Sequence, residues 1–591
     1  MKSGLARWRF ELVFGLLLAA LAGLSVRMGL LIKDEKIRRK AATSALIQAK
    51  IVIPVPARPG YIFARSNKSS VLLAGSRQSP GCFADPGRIH DAKLAEVAQK
   101  LGPILEMDPA TIQEKIINRR DAESGRSFIW LKKDLSLAKA EAVEALKIDG
   151  IGVRQEWRRN YPNGNLASNL LGFRLLDNTA GEGLELSFDK YLREKDGQRV
   201  VIANTKREGI WENESYPAQD GGNVYTCLDA TIQGALEKAV ATAVQKSKAE
   251  WGTGIVINPH TGDILAVVSI PDYDPNAYNT SKPENRTNRA INVPYEPGSA
   301  FKPVMAAAAV NDGVLTWQTK LNCEGGVYNA YKAGVISDHG AHYGLLSLWD
   351  IIVFSSNIGM AKVGEKLGNY RLKTLCEAWG FGHETGIELS GESRGIVRSP
   401  ITKWDGYSTR RVPFGQEISV TALQLAMAYG AMANGGMLMK PRLVDCVTDA
   451  AGAIVWRSQP QAVRRVLNKP VADETLLALQ DVVERGTGKA CRMEKWTVGG
   501  KTGTAQISQP GRGYIDGAFT GTFVGVAPIS EPRFVCLISI YWPKQGSHYG
   551  AVVAAPYVKD VLETSLTAYN VPPDKDPSKT PAASSEKVHG N

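Results

Sequence analysis

The sequence predicts an α+β body carried on one membrane-spanning helix, and three features carry that prediction. Residues 12–26 (LVFGLLLAALAGLSV) form an uncharged apolar run that, with its flanks, is long enough to cross a bilayer. Strand-like segments stand at both ends of the region 229–570, at 254–270 and again at 496–542, with a largely helical stretch between them. Strands from the two ends that share one sheet leave the middle as a helical insert, so the fold expected is a largely antiparallel sheet with helices on its faces.

In chain order, the apolar run is preceded by Lys2, Arg7 and Arg9 and followed by Lys33, Lys36, Arg38, Arg39 and Lys40, so the count of basic residues does not orient it. Its length favours an uncleaved anchor within 1–40 over a signal peptide. No later segment is as long and apolar, so the rest is expected to be water-soluble. Residues 41–228 alternate short strand-like runs with helical stretches such as 91–101 and hold no cluster of reactive side chains, which suits a spacer or interaction region. Helical spacing of apolar residues begins at 231–248 behind Asp229, a suitable cap. Apolar strands at 254–258 and 264–270 flank a Pro259–Asp263 turn. Later strands are expected at 496–506, 519–527 and 533–542, and a last helix at 552–569. From 571 to 591 the chain is polar and rich in Pro, Ser and Lys, a disordered tail.

Composition narrows the function. With 591 residues, 44% of them hydrophobic, and ordinary Gly and Pro usage, the chain builds real cores and is neither collagen-like nor a disordered coat. The net charge of +12 is scattered, without a basic stripe interleaved with aromatics and without zinc-finger or Walker-type spacing, so no nucleic-acid partner is expected. Seven dispersed cysteines form no CxxC pair and no disulfide framework. His339 and His342 beside Asp338 are the only close histidine pair, expected to make surface hydrogen bonds. No metal or cofactor is expected.

Chemistry gathers at three places. In EPGSAFKPVMAAAAV, Pro297 and Gly298 end a loop and Ser299 begins an alanine-rich helix. That puts Lys302 one turn from Ser299, where an unprotonated amine can activate the hydroxyl. Ser299 is equally placed to be a helix cap, and a lysine three residues after a serine arises by chance at about one serine in twenty. In FSSNIG, Ser355 and Asn357 lie between two helical runs, placed either to pass a proton and hold a carbonyl or to start the second helix. In GGKTGTA, Lys501, Thr502 and Thr504 surround Gly503 in a strand. A glycine there weakens the strand unless backbone or ligand must come close, which suggests a sheet edge receiving an extended, anionic peptide.

In this order the three motifs resemble the Ser-x-x-Lys, Ser-x-Asn and Lys-Thr-Gly set of penicillin-binding proteins and serine β-lactamases. The flanking text (NRAINVPYEPGSAFKP, WGFGHETGIELSGE, FGQEISVTALQLAMAYGAMANGG, HYGAVVAAP) is most similar to class B penicillin-binding proteins, in their division-specific branch, across 229–570. EWRRNYPNGNLASNLLGF and GEGLELSFDKYL look like that family's non-catalytic pedestal, which would occupy 41–228. RPGYIFARSN matches it more loosely, with Ala64 where the family has an acidic residue.

The resemblance implies a peptidoglycan D,D-transpeptidase of the bacterial cytoplasmic membrane, with its catalytic domain outside. Ser299 would attack the D-alanyl-D-alanine of a stem peptide, Lys302 would be the base, Ser355 a proton relay, and Asn357 would orient substrate. The backbone N–H groups of Ser299 and Thr504 would stabilise the oxyanion. Lys501, with Thr502, Gly503 and Thr504, would bind the terminal carboxylate. β-Lactams would acylate the same serine, and a polytopic glycosyltransferase and division proteins would be partners. Of the alternatives, a β-lactamase lacks its Glu-x-x-Leu-Asn motif here, and a bifunctional synthase has no room for its second domain. An elongation-specific relative and a β-lactam sensor or scaffold share the motifs.

Overall fold

The structure, a computed structural model, describes residues 3–36, 50–66, 69–120, 128–203, 209–330, 334–339, 342–509 and 513–575. The parts of the expected anchor and spacer at 1–2 and 37–49, and the expected tail at 576–591, lie outside the described residues. Two compact units emerge: Met1–Arg58, Gln78–Trp157 and Glu194–Asp220 make one, and Pro59–Arg77, Arg158–Arg193 and Gly221–Asn591 the other.

The first unit begins with a helix, Ser3–Lys33. Its segment Phe10–Leu30 has 21 residues and a mean hydropathy of 1.9, with none of its apolar surface buried in the protein. At about 1.5 Å per residue that segment spans about 30 Å, and an apolar surface on every side suits lipid. Strands Lys50–Val55, Gly197–Ala203 and Gly209–Tyr216 pair antiparallel. Cys82 to Ala84 pair with Ile129–Lys132, and helices Asp91–Leu105, Pro109–Arg120 and Leu137–Ala145 share a core with them that includes Leu94, Leu101, Ile112, Leu131 and Val143.

In the second unit, five antiparallel strands lie in the order Ile264–Ile270, Trp251–Ile257, Phe534–Tyr541, Gly513–Ala527, Gly499–Gln509. The period-2 alternation of a strand divides its side chains between two cores. Val256, Cys536, Ile538 and Ile540 pack with Leu236, Val240, Val558 and Leu562 of helices Ala230–Ser247 and Ala555–Ala568. Ile255, Ile257, Val535 and Leu537 belong to the opposite core with helix Ala422–Ala433 and the insert. Asp229 caps the first helix, accepting the N–H groups of Thr231 and Ile232.

Two boundaries differ from expectation. The spacer is not one body, because Pro59–Arg77 and Arg158–Arg193 cluster with the catalytic region. The physical reason is hydrogen bonding and pairing: Ala167 N–H donates to Glu237 (2.7 Å), Tyr161 N–H donates to Asn276 (3.0 Å), and Ile62 pairs with Val224. The tail also begins later than 571, since Asp574 accepts the Thr497 N–H (2.6 Å) and the Ser530 hydroxyl (2.6 Å).

Candidate active site

Ser299 lies in a 3-10 turn, Gly298–Phe301, and Lys302 is the first residue of helix Lys302–Asn311. The helix therefore starts three residues later than expected. Lys302 N–H donates to the Ser299 carbonyl, and Pro303, which has no N–H to donate, fills the second helical position. The cap positions are Pro297 and Phe301, so Ser299 Oγ is not a helix cap. In a 3-10 turn positions i and i+3 eclipse, which stacks the lysine over the serine. Gly298, with φ of +52°, lets the turn approach the edge strand, since a Cβ there would sit 2.7 Å from the Thr504 carbonyl. Its N–H donates to the Gly415 carbonyl (3.1 Å).

Lys302 is 0% exposed. Its Nζ lies 2.5 Å from the Ser355 carbonyl, 2.7 Å from Asn357 Oδ1 and 3.2 Å from Ser355 Oγ. Burial lowers its pKa to about 7 against the opposing pull of Asp338. A neutral amine has two hydrogens and a lone pair. The carbonyl and the amide oxygen take the hydrogens, and the lone pair is left for a hydroxyl proton.

Ser355 belongs to the turn between helices Leu348–Val353 and Asn357–Ala378, and Asn357 is the first residue of the second helix. Ser355 adopts φ of +62°, a left-handed conformation that costs a non-glycine residue on the order of 1 kcal/mol. It is Ser356 that caps the second helix, through the Gly359 N–H (2.9 Å). Asp338, almost fully buried, accepts the N–H groups of Asn357 (2.6 Å) and Ile358 (3.1 Å) and the Ser356 hydroxyl (2.6 Å).

The edge strand Gly499–Gln509 carries the third motif. Lys501, also 0% exposed, donates to Ser355 Oγ (2.8 Å), and burial followed by the Lys302 charge holds its pKa well below the ordinary lysine value. Thr502 Oγ1 is 2.9 Å from Thr487 Oγ1. A Cβ on Gly503 would meet the Pro297 carbonyl at 2.7 Å, so this glycine answers to the serine turn packed on it rather than to a ligand.

These pieces border one cleft of about 440 Å³, lined by Ser299, Ser355, Asn357, Thr502 and Thr504. Lys302 and Lys501 lie buried behind it. Sequence reasoning missed three contributors. Asp338 and Thr487 are hydrogen-bonded supports with no local motif. His339, exposed as a surface residue is, also lines the cleft, and its pKa is lowered by partial desolvation there and then by Lys302. His342 keeps the expected surface role, with Nδ1 3.0 Å from the Gly325 carbonyl.

Residues 252–563 match the Penicillin binding protein transpeptidase domain, and residues 54–174 match the Penicillin-binding Protein dimerisation domain. The chain is 31% identical over 527 residues to the probable peptidoglycan D,D-transpeptidase PenA of Neisseria meningitidis, covering 88% of this chain and 86% of that one. It is 28% identical over 571 residues to the peptidoglycan D,D-transpeptidase FtsI of Escherichia coli, covering 96% and 93%. Among solved structures, Penicillin binding protein 3 of Mycobacterium tuberculosis complexed with aztreonam superposes with a TM-score of 0.67 at 25% identity, over 88% of this chain and 98% of that one.

Proposed function

Because this chain belongs to the class B penicillin-binding proteins and is a serine peptidoglycan D,D-transpeptidase, we propose that Ser299 is its acylated residue and that Lys302, Ser355, Asn357 and Lys501 serve that chemistry. The observation that supports this reading best is the buried Lys302 amine, bonded to Ser355 and Asn357 beside the cleft that Ser299 lines.

Neutral Lys302 takes the Ser299 proton as Oγ attacks the penultimate D-alanine carbonyl. The Ser299 and Thr504 N–H groups hold the oxyanion, a contribution of several kcal/mol in such pairs. Ser355, hydrogen-bonded to both lysines, passes the proton to the leaving D-alanine nitrogen. A neighbouring stem's amine then takes the acyl group and releases Ser299.

The Thr502 and Thr504 hydroxyls receive the substrate's terminal carboxylate, with Gly503 keeping the strand close to the serine turn. Lys501 stands behind them, and an anion in the cleft favours its charged form. Two buried amines sharing one hydroxyl do not both carry charge cheaply, so a protonated Lys501 keeps Lys302 the free base.

We assign the enzyme to septal wall synthesis, in line with its similarity to FtsI and to the stage V sporulation protein D of Bacillus subtilis. In this reading the helix Ser3–Lys33 crosses the cytoplasmic membrane with the N-terminus inside and the cleft outside. The pedestal is the part of 41–228 outside Pro59–Arg77 and Arg158–Arg193, which cluster with the transpeptidase domain, and a polytopic glycosyltransferase and division proteins dock through anchor and pedestal. The test is to incubate the full-length protein in detergent with benzylpenicillin and follow peptide mass. A long-lived adduct on the Ser299 peptide, absent in Ser299→Ala, is expected. Rapid drug hydrolysis without an adduct, or no adduct in folded protein, overturns the assignment.

A further inference from the structure

We propose that Glu296 is a positioning residue that fixes the serine turn by joining it to both walls of the cleft. The inference rests on Ser299 being the nucleophile. Glu296 precedes Ser299 by three residues and is not part of the cleft lining. Its Oε1 accepts the Glu417 N–H (2.9 Å), and its Oε1 and Oε2 lie 3.3 and 3.1 Å from the Tyr514 hydroxyl, which donates.

Each partner belongs to a different wall. Glu417 follows Gln416, which lines the cleft, and Gly415, whose carbonyl accepts the Gly298 N–H. Glu417 is itself anchored, through the Ser408 hydroxyl (2.5 Å) and Arg398 (3.1 Å), and holds φ of +62°. Tyr514 sits on strand Gly513–Ala527 opposite Ser508, in the same ladder that aligns Thr504 with Gly521. One side chain therefore bonds the backbone of one wall and a side chain of the other while being covalently tied to the turn. The carboxylate meets both partners at once, Oε1 accepting from the Glu417 N–H and both oxygens lying within reach of the Tyr514 hydroxyl. Glu296 is half-buried and Tyr514 is exposed, so the bond to the Glu417 N–H is the one that water replaces least cheaply. A reacting atom displaced by about 1 Å costs on the order of 100-fold in rate, so a loosened turn is expected to slow acylation more than binding.

The test uses the full-length protein in detergent and a fluorescent penicillin under saturating, stopped-flow conditions that separate pre-covalent binding from the first-order acylation constant. Glu296→Ala is expected to lower the acylation constant by about 10–100-fold, with binding changed by less than about threefold. Glu296→Gln should restore it to within about threefold, since the amide oxygen still accepts from Glu417 and its nitrogen donates to the Tyr514 oxygen. Tyr514→Phe removes one bond and should cost about three- to tenfold, and adding it to Glu296→Ala should cost nothing more, because the shared bond is already lost.

Multiplicative losses in the double variant, a Gln variant as slow as Ala, or an unchanged acylation constant with only a smaller labelled fraction would each overturn the proposal. If Glu296→Ala does not fold, Tyr514→Phe decides alone, and a wild-type acylation constant there refutes the proposal. Failure of wild-type protein to acylate at all would instead sink the assignment of Ser299.

Discussion

Lys302 and Lys501 meet at one hydroxyl: Ser355 Oγ lies 3.2 Å from Lys302 Nζ and 2.8 Å from Lys501 Nζ. Both amines are buried, and both have their pKa values pushed down.

Acylation of Ser299 should rise with pH through about 7. The base is the neutral amine, and Lys302 has its pKa lowered to about 7, so protonation on the acid side removes the lone pair and the rate falls about tenfold per unit below that point. Stopped-flow acylation by a fluorescent penicillin between pH 5.5 and 8.5, a window set by that value, measures the profile; a flat profile would exclude Lys302 as the base.

Asp338→Asn should move the same profile to lower pH. The Asp338 charge opposes the lowering of the Lys302 pKa, so its removal lowers that pKa further and leaves the amine free at a more acid pH. The variant also weakens the acceptor for the Asn357 and Ile358 N–H groups, with an expected loss of about 1–3 kcal/mol in thermal unfolding. A profile that stays in place while stability falls would show that Asp338 acts only on the backbone.

Lys302→Met should abolish acylation while leaving the melting temperature unchanged or raised. Burying an amine costs free energy that an apolar side chain of similar length does not, so the lysine is kept at the expense of stability. Calorimetry beside penicillin labelling checks both halves, and a clear drop in melting temperature would contradict the second.

Gly503→Ala should cost on the order of 100-fold in acylation, because the added methyl meets the Pro297 carbonyl at 2.7 Å and displaces the serine turn. Labelling at fixed drug concentration reads the loss. Wild-type labelling would mean that the strand can move away.

Glu185→Ala should destabilise the second unit by about 3–5 kcal/mol, read from denaturant unfolding. Glu185 is 0% exposed and accepts from Arg159 (2.5 Å) and Arg174 (2.7 Å), and removing it leaves two buried guanidinium groups without their shared carboxylate. A loss under about 1 kcal/mol would show that Asp189 and the backbone carbonyls suffice for both arginines.

Much of the fold was legible because its signals are local. The helix behind Asp229 needs only a cap and apolar spacing, and the strands at both ends of the region need only short β-rich runs between turns. The expectation failed where packing outweighs local pattern. Residues 158–193 read as part of a spacer, yet Tyr161 and Ala167 donate to Asn276 and Glu237, 115 and 70 positions away. The helix start at Ser299 moved to Lys302 because Gly298 turns against Thr504, which lies on a strand from the far end of the region.

The sequence by itself determined the chemical groups and their close spacings: the apolar anchor, Ser299 with Lys302, Ser355 with Asn357, and Lys501 through Thr504. Each of these is a pattern within a few residues. Only the tertiary structure decided that Lys302 reaches across 53 positions and Lys501 across 146 to one serine hydroxyl, and that Asp338 and Glu296 hold turns, and Thr487 the edge strand, around them. The physical reason is that burial and long-range hydrogen bonds belong to the packed surroundings. An amine becomes a base near neutral pH through the water that its neighbours exclude, and no run of adjacent residues encodes that exclusion.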